Sequence, residues 1–222
     1  MLMYTFYAQH RTAIESSVEV IRRVRSDMLT LPTPCAGWTL ADLLTHMTAQ
    51  HHGFAAAACG DGREQAVWHA ESYAVEVTAD PVGSYASAAD EVLRAFATDG
   101  VEDTLFALPE LGPEITVPGA VALGFHFVDY VVHGWDVATT LGRPYRLPAD
   151  VITAALPIAM AVPDGEIRDD AAFPFARSVE PTGTGADVHD DFAQLLRHLG
   201  RDVDGVAATS IVNSGTGHRR EG

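Results

Sequence analysis

The sequence has few basic residues, few cysteines and no long apolar run. Its 14 basic residues stand against 30 acidic ones, which gives a formal net charge of −16 over 222 residues. Nucleic acids and anionic membranes both require a basic surface, so this balance argues against either as a partner. The two cysteines, Cys35 and Cys59, are too few for a disulfide framework, and we expect Cys35 to be a small buried thiol in a loop.

Several other sequence features are missing. No apolar run reaches the roughly 18 residues that a membrane-spanning helix needs. The first residues lack the basic segment and apolar core of a signal peptide, so we expect a cytoplasmic protein. Glycine-rich nucleotide motifs and the nucleophile elbow of hydrolases are absent too. What remains is a globular composition, with 47% hydrophobic and 20% charged residues.

Apolar residues recur mostly at the helical spacing of 3.6 residues, which predicts a mainly all-α protein. Thr39 opens the second predicted helix, and Asp42 follows three residues later, as in a capping box. The loops between helices differ greatly in length, which favours a four-helix bundle with crossover connections. The other predicted helices cover residues 6–29, 82–98, 119–141, 148–162 and 187–199.

The segments between these helices are rich in proline, glycine and polar residues. Residues 64–78 are predicted to be loosely helical, and residues 100–117 to form an extended or hairpin-like excursion. Residues 163–185 are expected to hold one or two short strands. The resulting domain prediction is a metal-binding bundle over 1–162, a small irregular or short-strand extension packed on it over 163–212, and a disordered tail over 213–222.

The fourth predicted helix carries the pattern that points to chemistry. Asp129 and His133 are four residues apart, so both side chains lie on one helix face as a two-point metal clamp. His46, on the second helix, would supply a third ligand. Three protein ligands with an open position are typical of a catalytic metal site. Two nitrogens and one carboxylate suit zinc first, with nickel, iron and manganese as alternatives.

Neighbouring polar residues suggest supporting roles. His126 lies one turn before Asp129 and could be a fourth ligand, a group behind the ligands or a proton shuttle. Asp136 is a candidate hydrogen-bond partner for a ligand histidine or a catalytic base. His51 and His52 point away from His46 and are expected to be surface or packing residues.

Two motifs resemble the DinB-like four-helix metalloproteins, in the branch related to mycothiol-dependent maleylpyruvate isomerase. The first covers residues 32–47 and reads P-T-P-C-A-G-W-T-L-A-D-L-L-T-H-M. The second covers residues 128–142 and reads V-D-Y-V-V-H-G-W-D-V-A-T-T-L-G. The ending at 195–202, L-L-R-H-L-G-R-D, is also similar to the last helix of that branch.

The resemblance implies a DinB-like bundle with a divalent metal held by His46, Asp129 and His133. Relatives include S-transferases and isomerases that use a low-molecular-weight thiol such as mycothiol. The isomerase carries an additional C-terminal domain, and only about 60 residues follow the predicted fifth helix here. We therefore expect that domain to be absent or much reduced.

Three functions remain open from the sequence. The first is a metal-dependent, thiol-using transferase or isomerase acting on a small electrophilic or carbonyl compound. The second is a metal Lewis-acid isomerase, cyclase or hydrolase of secondary metabolism that needs no thiol. The third is a non-enzymatic protein that binds or sequesters a small ligand. A homodimer is compatible with each of these functions.

Overall fold

The structure is a computed structural model that describes residues 6–170, 173–181 and 190–205. The chain divides into two compact units between Ile158 and Ala159. The α-helices of the described residues are α1 (Tyr7–Ile21), α2 (Leu40–Ala58), α3 (Ala74–Ala79), α4 (Pro81–Phe96), α5 (Gly119–Thr140), α6 (Ala149–Met160) and α7 (Asp191–His198). The fold is all-α, as predicted, apart from two three-residue strands, β1 (Leu105–Ala107) and β2 (Thr116–Pro118).

The four long helices α1, α2, α4 and α5 form a bundle. Helix α1 packs against α4 and α5, and α2 packs against the same two helices. Helices α1 and α2 are therefore diagonal neighbours, and so are α4 and α5. The connection from α1 to α2 and the one from α4 to α5 each cross the bundle, which confirms crossover topology. The connection from α2 to α4, which contains α3, joins adjacent helices.

Local sequence signals set the helix boundaries. Thr39 caps α2, because its side chain accepts from the Asp42 amide and the Asp42 side chain accepts from the Thr39 amide. Asp80 caps α4 in the same way, by accepting from the Gly83 amide. Gly142 follows the end of α5 with a φ of +62°, a left-handed conformation that glycine adopts at low cost.

The predicted first helix over 6–29 is too long. Helix α1 ends at Ile21, and a 3-10 helix covers Ser26–Met28. The chain is extended at Arg25, whose guanidinium pairs with Asp27 at 2.8 Å. Serine and aspartate form local hydrogen bonds that compete with helix continuation, and apolar spacing does not report this.

The excursion between α4 and α5 is a hairpin, as predicted. Strands β1 and β2 pair antiparallel, with Phe106 opposite Val117. The hairpin lies against α2 and α5, because β1 contacts both helices and β2 contacts α5. Phe106 is fully buried and joins the bundle core. The hairpin is therefore fixed beside the two helices that carry the candidate ligands.

The second unit contains α7 and a 3-10 helix over Glu166–Asp169. The expected strands within 163–185 do not occur in the described part of that segment, 163–170 and 173–181. The Arg168 side chain explains this. Its guanidinium donates to the carbonyls of Pro163 and Ala176, which would accept from a neighbouring strand if this segment were a sheet.

The last helix begins later than predicted. Asp190 caps α7 at Asp191, since its side chain accepts from the Phe192 amide at 2.9 Å. Residues 187–189 and the predicted disordered tail over 213–222 lie outside the described residues.

Candidate metal centre

Helices α2 and α5 run antiparallel through the bundle. His46 lies beside His133, with ring centroids 5.3 Å apart. His51, further along α2, lies beside His126, which comes earlier in α5. The two helices therefore bring residues from distant parts of the sequence to the same level.

The structure brings the three predicted ligands together. One ligand atom from each of His46, Asp129 and His133 can be chosen so that all three lie within 4.8 Å of one another. Nε2 of His133 is 3.3 Å from Oδ1 of Asp129. Two atoms bound tetrahedrally to one zinc ion at 2.0–2.2 Å are about 3.4 Å apart. The side chain of Asp129 keeps 22% of its surface exposed, so the group is accessible from solvent.

Asp136 and Cys35 lie on the other side of the His133 ring. Nδ1 of His133 is 2.9 Å from Oδ2 of the fully buried Asp136. The Cys35 thiol donates to the same carboxylate oxygen at 3.3 Å. A carboxylate that accepts from the rear nitrogen of a ligand histidine fixes the ring orientation and its tautomer. Asp136 therefore directs the Nε2 atom of His133 toward His46 and Asp129.

The protonation states of the two histidines differ. Burial lowers the pKa of His46 to about 4, with a smaller effect from His133 in the same direction and an opposing one from Asp129. Burial also disfavours the charged form of His133, yet the charge of Asp129 and the hydrogen bonds to Asp129, Asp136 and Cys35 together raise its pKa well above the usual value. His46 is neutral at pH 7, and His133 holds a positive charge between two carboxylates.

These states fit a divalent cation. A metal ligand must offer a free electron pair, and neutral His46 does. A cation is favoured between His133 and Asp129, since a proton is held there in the metal-free protein. A metal would replace that proton, while Asp136 would keep the Nδ1 proton. The donor set of two nitrogens and one carboxylate suits zinc and neighbouring divalent metals.

Cys35 also belongs to a second set of potential ligand atoms. Its Sγ, with Nδ1 of His133 and a carboxylate oxygen of Asp136, forms a group within the same 4.8 Å limit. Hydrogen bonding explains this second group, because Asp136 accepts from both neighbours. Cys35 was expected to be a small buried thiol, but it is half-buried and makes this hydrogen bond, which the sequence did not indicate. The position of Cys35 within the motif over 32–47, which also contains His46, could have indicated that it lies near the site.

The structure does not bring His126 into either group. His126 is fully buried, and its two ring nitrogens are 2.8 Å from Nε2 of His10 and 3.1 Å from Nδ1 of His51. Its ring stacks on Tyr130, with centroids 4.2 Å apart. His126 was expected to lie on the same helix face as Asp129, but its side chain packs with His10 and His51 instead. His51 is a packing residue, as predicted, and stacks on Tyr130 with centroids 4.0 Å apart.

Aromatic residues flank the ligands. Trp38 keeps 37% of its surface exposed and lies 5.0 Å from the His46 ring. Trp135 is buried. A surface groove of about 880 Å³ lies elsewhere, beside the exposed Cys59 and the ends of α2 and α4. We place the candidate function at the metal-ligand group, because no potential metal cluster of the described residues lines that groove.

The fold and the ligand geometry thus describe an all-α bundle with a potential divalent-metal centre between α2 and α5. Among known families, the model of the mycothiol maleylpyruvate isomerase N-terminal domain matches residues 10–138. The chain belongs to this family. The match includes His46, Asp129, His133 and the supporting residues Cys35 and Asp136.

Individual proteins are also similar to this chain. Two proteins named as uncharacterised, from two strains of Mycobacterium tuberculosis, are each 30% identical over 162 residues, covering 72% of this chain and 80% of the relative. A crystal structure of the mycothiol-dependent maleylpyruvate isomerase aligns at 15% identity with a TM-score of 0.49. That alignment covers 68% of this chain and 65% of the isomerase chain. No helix in the described part of this chain is long and apolar enough to cross a membrane.

Proposed function

We propose that the protein is a divalent-metal-dependent enzyme that acts on a small electrophilic or carbonyl compound together with a low-molecular-weight thiol such as mycothiol. The observation that carries the proposal is the convergence of His46, Asp129 and His133, with Asp136 behind His133. Membership of the maleylpyruvate isomerase domain family supports the thiol and the isomerase or transferase chemistry.

Each residue has a distinct part in this proposal. His46, Asp129 and His133 bind the metal, with zinc as the first choice. A bound divalent metal supplies Lewis acidity and lowers the pKa of a thiol or water beside it. Asp136 keeps His133 in one tautomer, and Cys35 donates to Asp136 and holds its carboxylate in place. The exposed part of Asp129 leaves a side from which a substrate can enter.

Removal of one ligand tests the metal centre. His46→Ala should weaken zinc binding by at least about 100-fold, more than the loss of a group behind a ligand usually causes. The measurement is a competition titration of the metal-free protein with a zinc chelator. His52→Ala is the matched control, because His52 lies on the same helix but pairs with Glu91 at 2.9 Å. Unchanged zinc affinity in His46→Ala would overturn the metal centre.

The thiol requirement needs a separate measurement. Zinc-loaded wild type should convert an electrophilic carbonyl compound only when mycothiol is present, and His46→Ala should not convert it. A transferase would consume the thiol, whereas an isomerase would release it again. Conversion of the carbonyl compound at the same rate without any thiol would favour Lewis-acid chemistry alone. Metal binding with no conversion of any substrate would favour the non-enzymatic alternative.

A further inference from the structure

The proposed reaction requires a group that takes up a proton, and the two residues predicted for this role are not accessible. His126 is fully buried, with both ring nitrogens beside other histidines. Asp136 is also fully buried, and its Oδ2 accepts from both His133 and Cys35. Any acid–base group that meets a substrate must therefore come from elsewhere in the protein.

Helix α2 places Gln50 at the level of Asp129. Gln50 follows His46 by one helical turn and so lies on the same face of α2. The helices run antiparallel, with His46 beside His133 and His51 beside His126. Gln50 lies between these two levels on α2, as Asp129 does on α5. Its side chain is therefore directed toward the same side of the bundle as the three ligands.

Gln50 holds a carboxylate at this position. Its amide nitrogen is 2.9 Å from Oε1 and 3.1 Å from Oε2 of Glu110. Gln50 is buried, whereas Glu110 is exposed. Glu110 lies in the turn of the hairpin, within a 3-10 helix over Pro109–Leu111. The buried Gln50 thus holds the carboxylate of the exposed Glu110 in place.

The hairpin turn is anchored on both sides of Glu110. The Leu108 amide donates to the Ile115 carbonyl at 3.2 Å, and Leu108 itself is buried. Arg63, which follows α2, pairs with Glu114 at 3.1 Å. The carboxylate of Glu110 is therefore held against α2 by its backbone as well as by Gln50.

The charges around Glu110 agree with this placement. Although Glu110 as a whole is exposed, the protein atoms around its carboxylate partly desolvate that group and raise its pKa. The hydrogen bond from Gln50 opposes that effect, and the negative charge of Asp129 raises the pKa further. Asp129 on α5 acts on Glu110 through its charge, and neutral Gln50 on α2 acts through a hydrogen bond. On the hairpin itself, Glu114 forms an ion pair with Arg63. Among the described residues, no ion pair holds Glu110 as a permanent carboxylate.

We propose that Glu110, positioned by Gln50, is the acid–base residue of this centre and contacts the group that enters beside His46, Asp129 and His133. The inference rests on the proposed metal centre. In the forward step, the S–H or O–H bond of the entering thiol or water breaks. Its electron pair stays on sulfur or oxygen and forms the bond to the electrophilic carbon. The proton goes to the Glu110 carboxylate, which returns it to the product.

Cobalt(II), added to the metal-free full-length protein, provides a test that needs no substrate. Its visible spectrum changes with pH when a water molecule at the open coordination position loses a proton. A nearby carboxylate opposes that loss, so Glu110→Gln should lower the midpoint by at least about half a pH unit. Gln50→Leu, which releases Glu110, should move the midpoint in the same direction. Glu114→Gln is the control on the same hairpin and should leave it unchanged.

The outcomes separate this inference from the proposed function. A midpoint in Glu110→Gln within about 0.2 units of wild type, with cobalt bound, would overturn the role of Glu110 alone. Failure of the wild type to bind cobalt would overturn the metal centre and this inference with it. A shift of similar size in Glu114→Gln would show a general charge effect and would also contradict the assignment. Glu110 is exposed, so its replacement should leave the fold intact.

Discussion

At the scale of single residues, His133 shows how charge and hydrogen bonding orient a candidate metal ligand. One nitrogen faces Asp129 at 3.3 Å and the other faces Asp136 at 2.9 Å. Burial alone would keep this imidazole neutral, but the two carboxylates reverse the effect. Asp136 is fully buried, accepts from the Cys35 thiol and lies against Nδ1 of His133. Its contribution is to hold one tautomer of His133.

Asp136→Asn tests this role. The amide keeps the size of the carboxylate but removes its charge, so it holds the imidazole proton less strongly. Zinc affinity should fall about 10- to 100-fold, as for other groups behind a metal ligand. The measurement is the same chelator competition. Asp90→Asn, at an exposed position on α4, should bind zinc as the wild type does. Equal affinities of Asp136→Asn and wild type would contradict the assignment.

At the scale of elements, α2 combines the ligand face with a tightly packed face. Gly53 lies on this helix, and a Cβ atom there would lie 2.4 Å from the Trp68 ring. The Trp68 indole donates to the Gly62 carbonyl at 2.9 Å and is held in place by that bond. The absence of a side chain at Gly53 thus allows the segment after α2 to close on the helix.

Two glycine-to-alanine changes separate contact from helix propensity. Gly53→Ala should destabilise the protein by about 1–3 kcal/mol, because the ring must move. Gly124→Ala in α5 is the matched control, since its Cβ would meet Ile158 at an ordinary 3.5 Å. That change should be neutral or stabilising by up to about 1 kcal/mol. Urea unfolding measures both. A greater loss of stability in Gly124→Ala than in Gly53→Ala would refute the packing argument.

At the scale of the whole molecule, the bundle core contains three connected histidines. His10, His51 and His126 come from α1, α2 and α5 and are all buried. Burial lowers the pKa of His10 to about 3 and lowers those of His51 and His126 well below their usual value. All three are neutral in the folded protein at every pH above the acid range.

The fold should therefore lose stability in mild acid. In the unfolded chain these histidines gain protons as the pH falls through about 6.5, whereas in the folded chain they do not. The stability is fully present above pH 6.5 and is lost as the pH falls toward the depressed folded values. Between pH 7.5 and 5.5 the three histidines together should lower the free energy of unfolding by a few kcal/mol, on the order of 1 kcal/mol each. Urea unfolding of metal-free protein at the two pH values measures this. An unchanged free energy of unfolding would show that the histidines are charged in the fold.

The sequence determines the helices and the ligand pairing within one helix, because both depend on neighbours along the chain. Helical periodicity located α4 and α5 closely, the Thr39–Asp42 pair marked the start of α2, and four-residue spacing put Asp129 and His133 on one face. The two quoted motifs also indicated the family that the comparison then showed. Each of these features depends on residues that are close together in the sequence, so it can be recognised without the tertiary structure.

Only the tertiary structure decided which of the remaining polar residues meet. His126 satisfies the same helical spacing as Asp129 but packs with His10 and His51, because the helix turns it toward the core. Cys35 and Glu110 lie in connections between helices, where the sequence shows no helical periodicity. Their positions follow from the diagonal packing of the helices and from the hairpin. Burial lowers the pKa of His46, and neighbouring carboxylates raise that of His133, so both effects depend on how the helices pack together. For that reason the three candidate ligands could be named from the sequence, but the contacts of Cys35 and Glu110 could not.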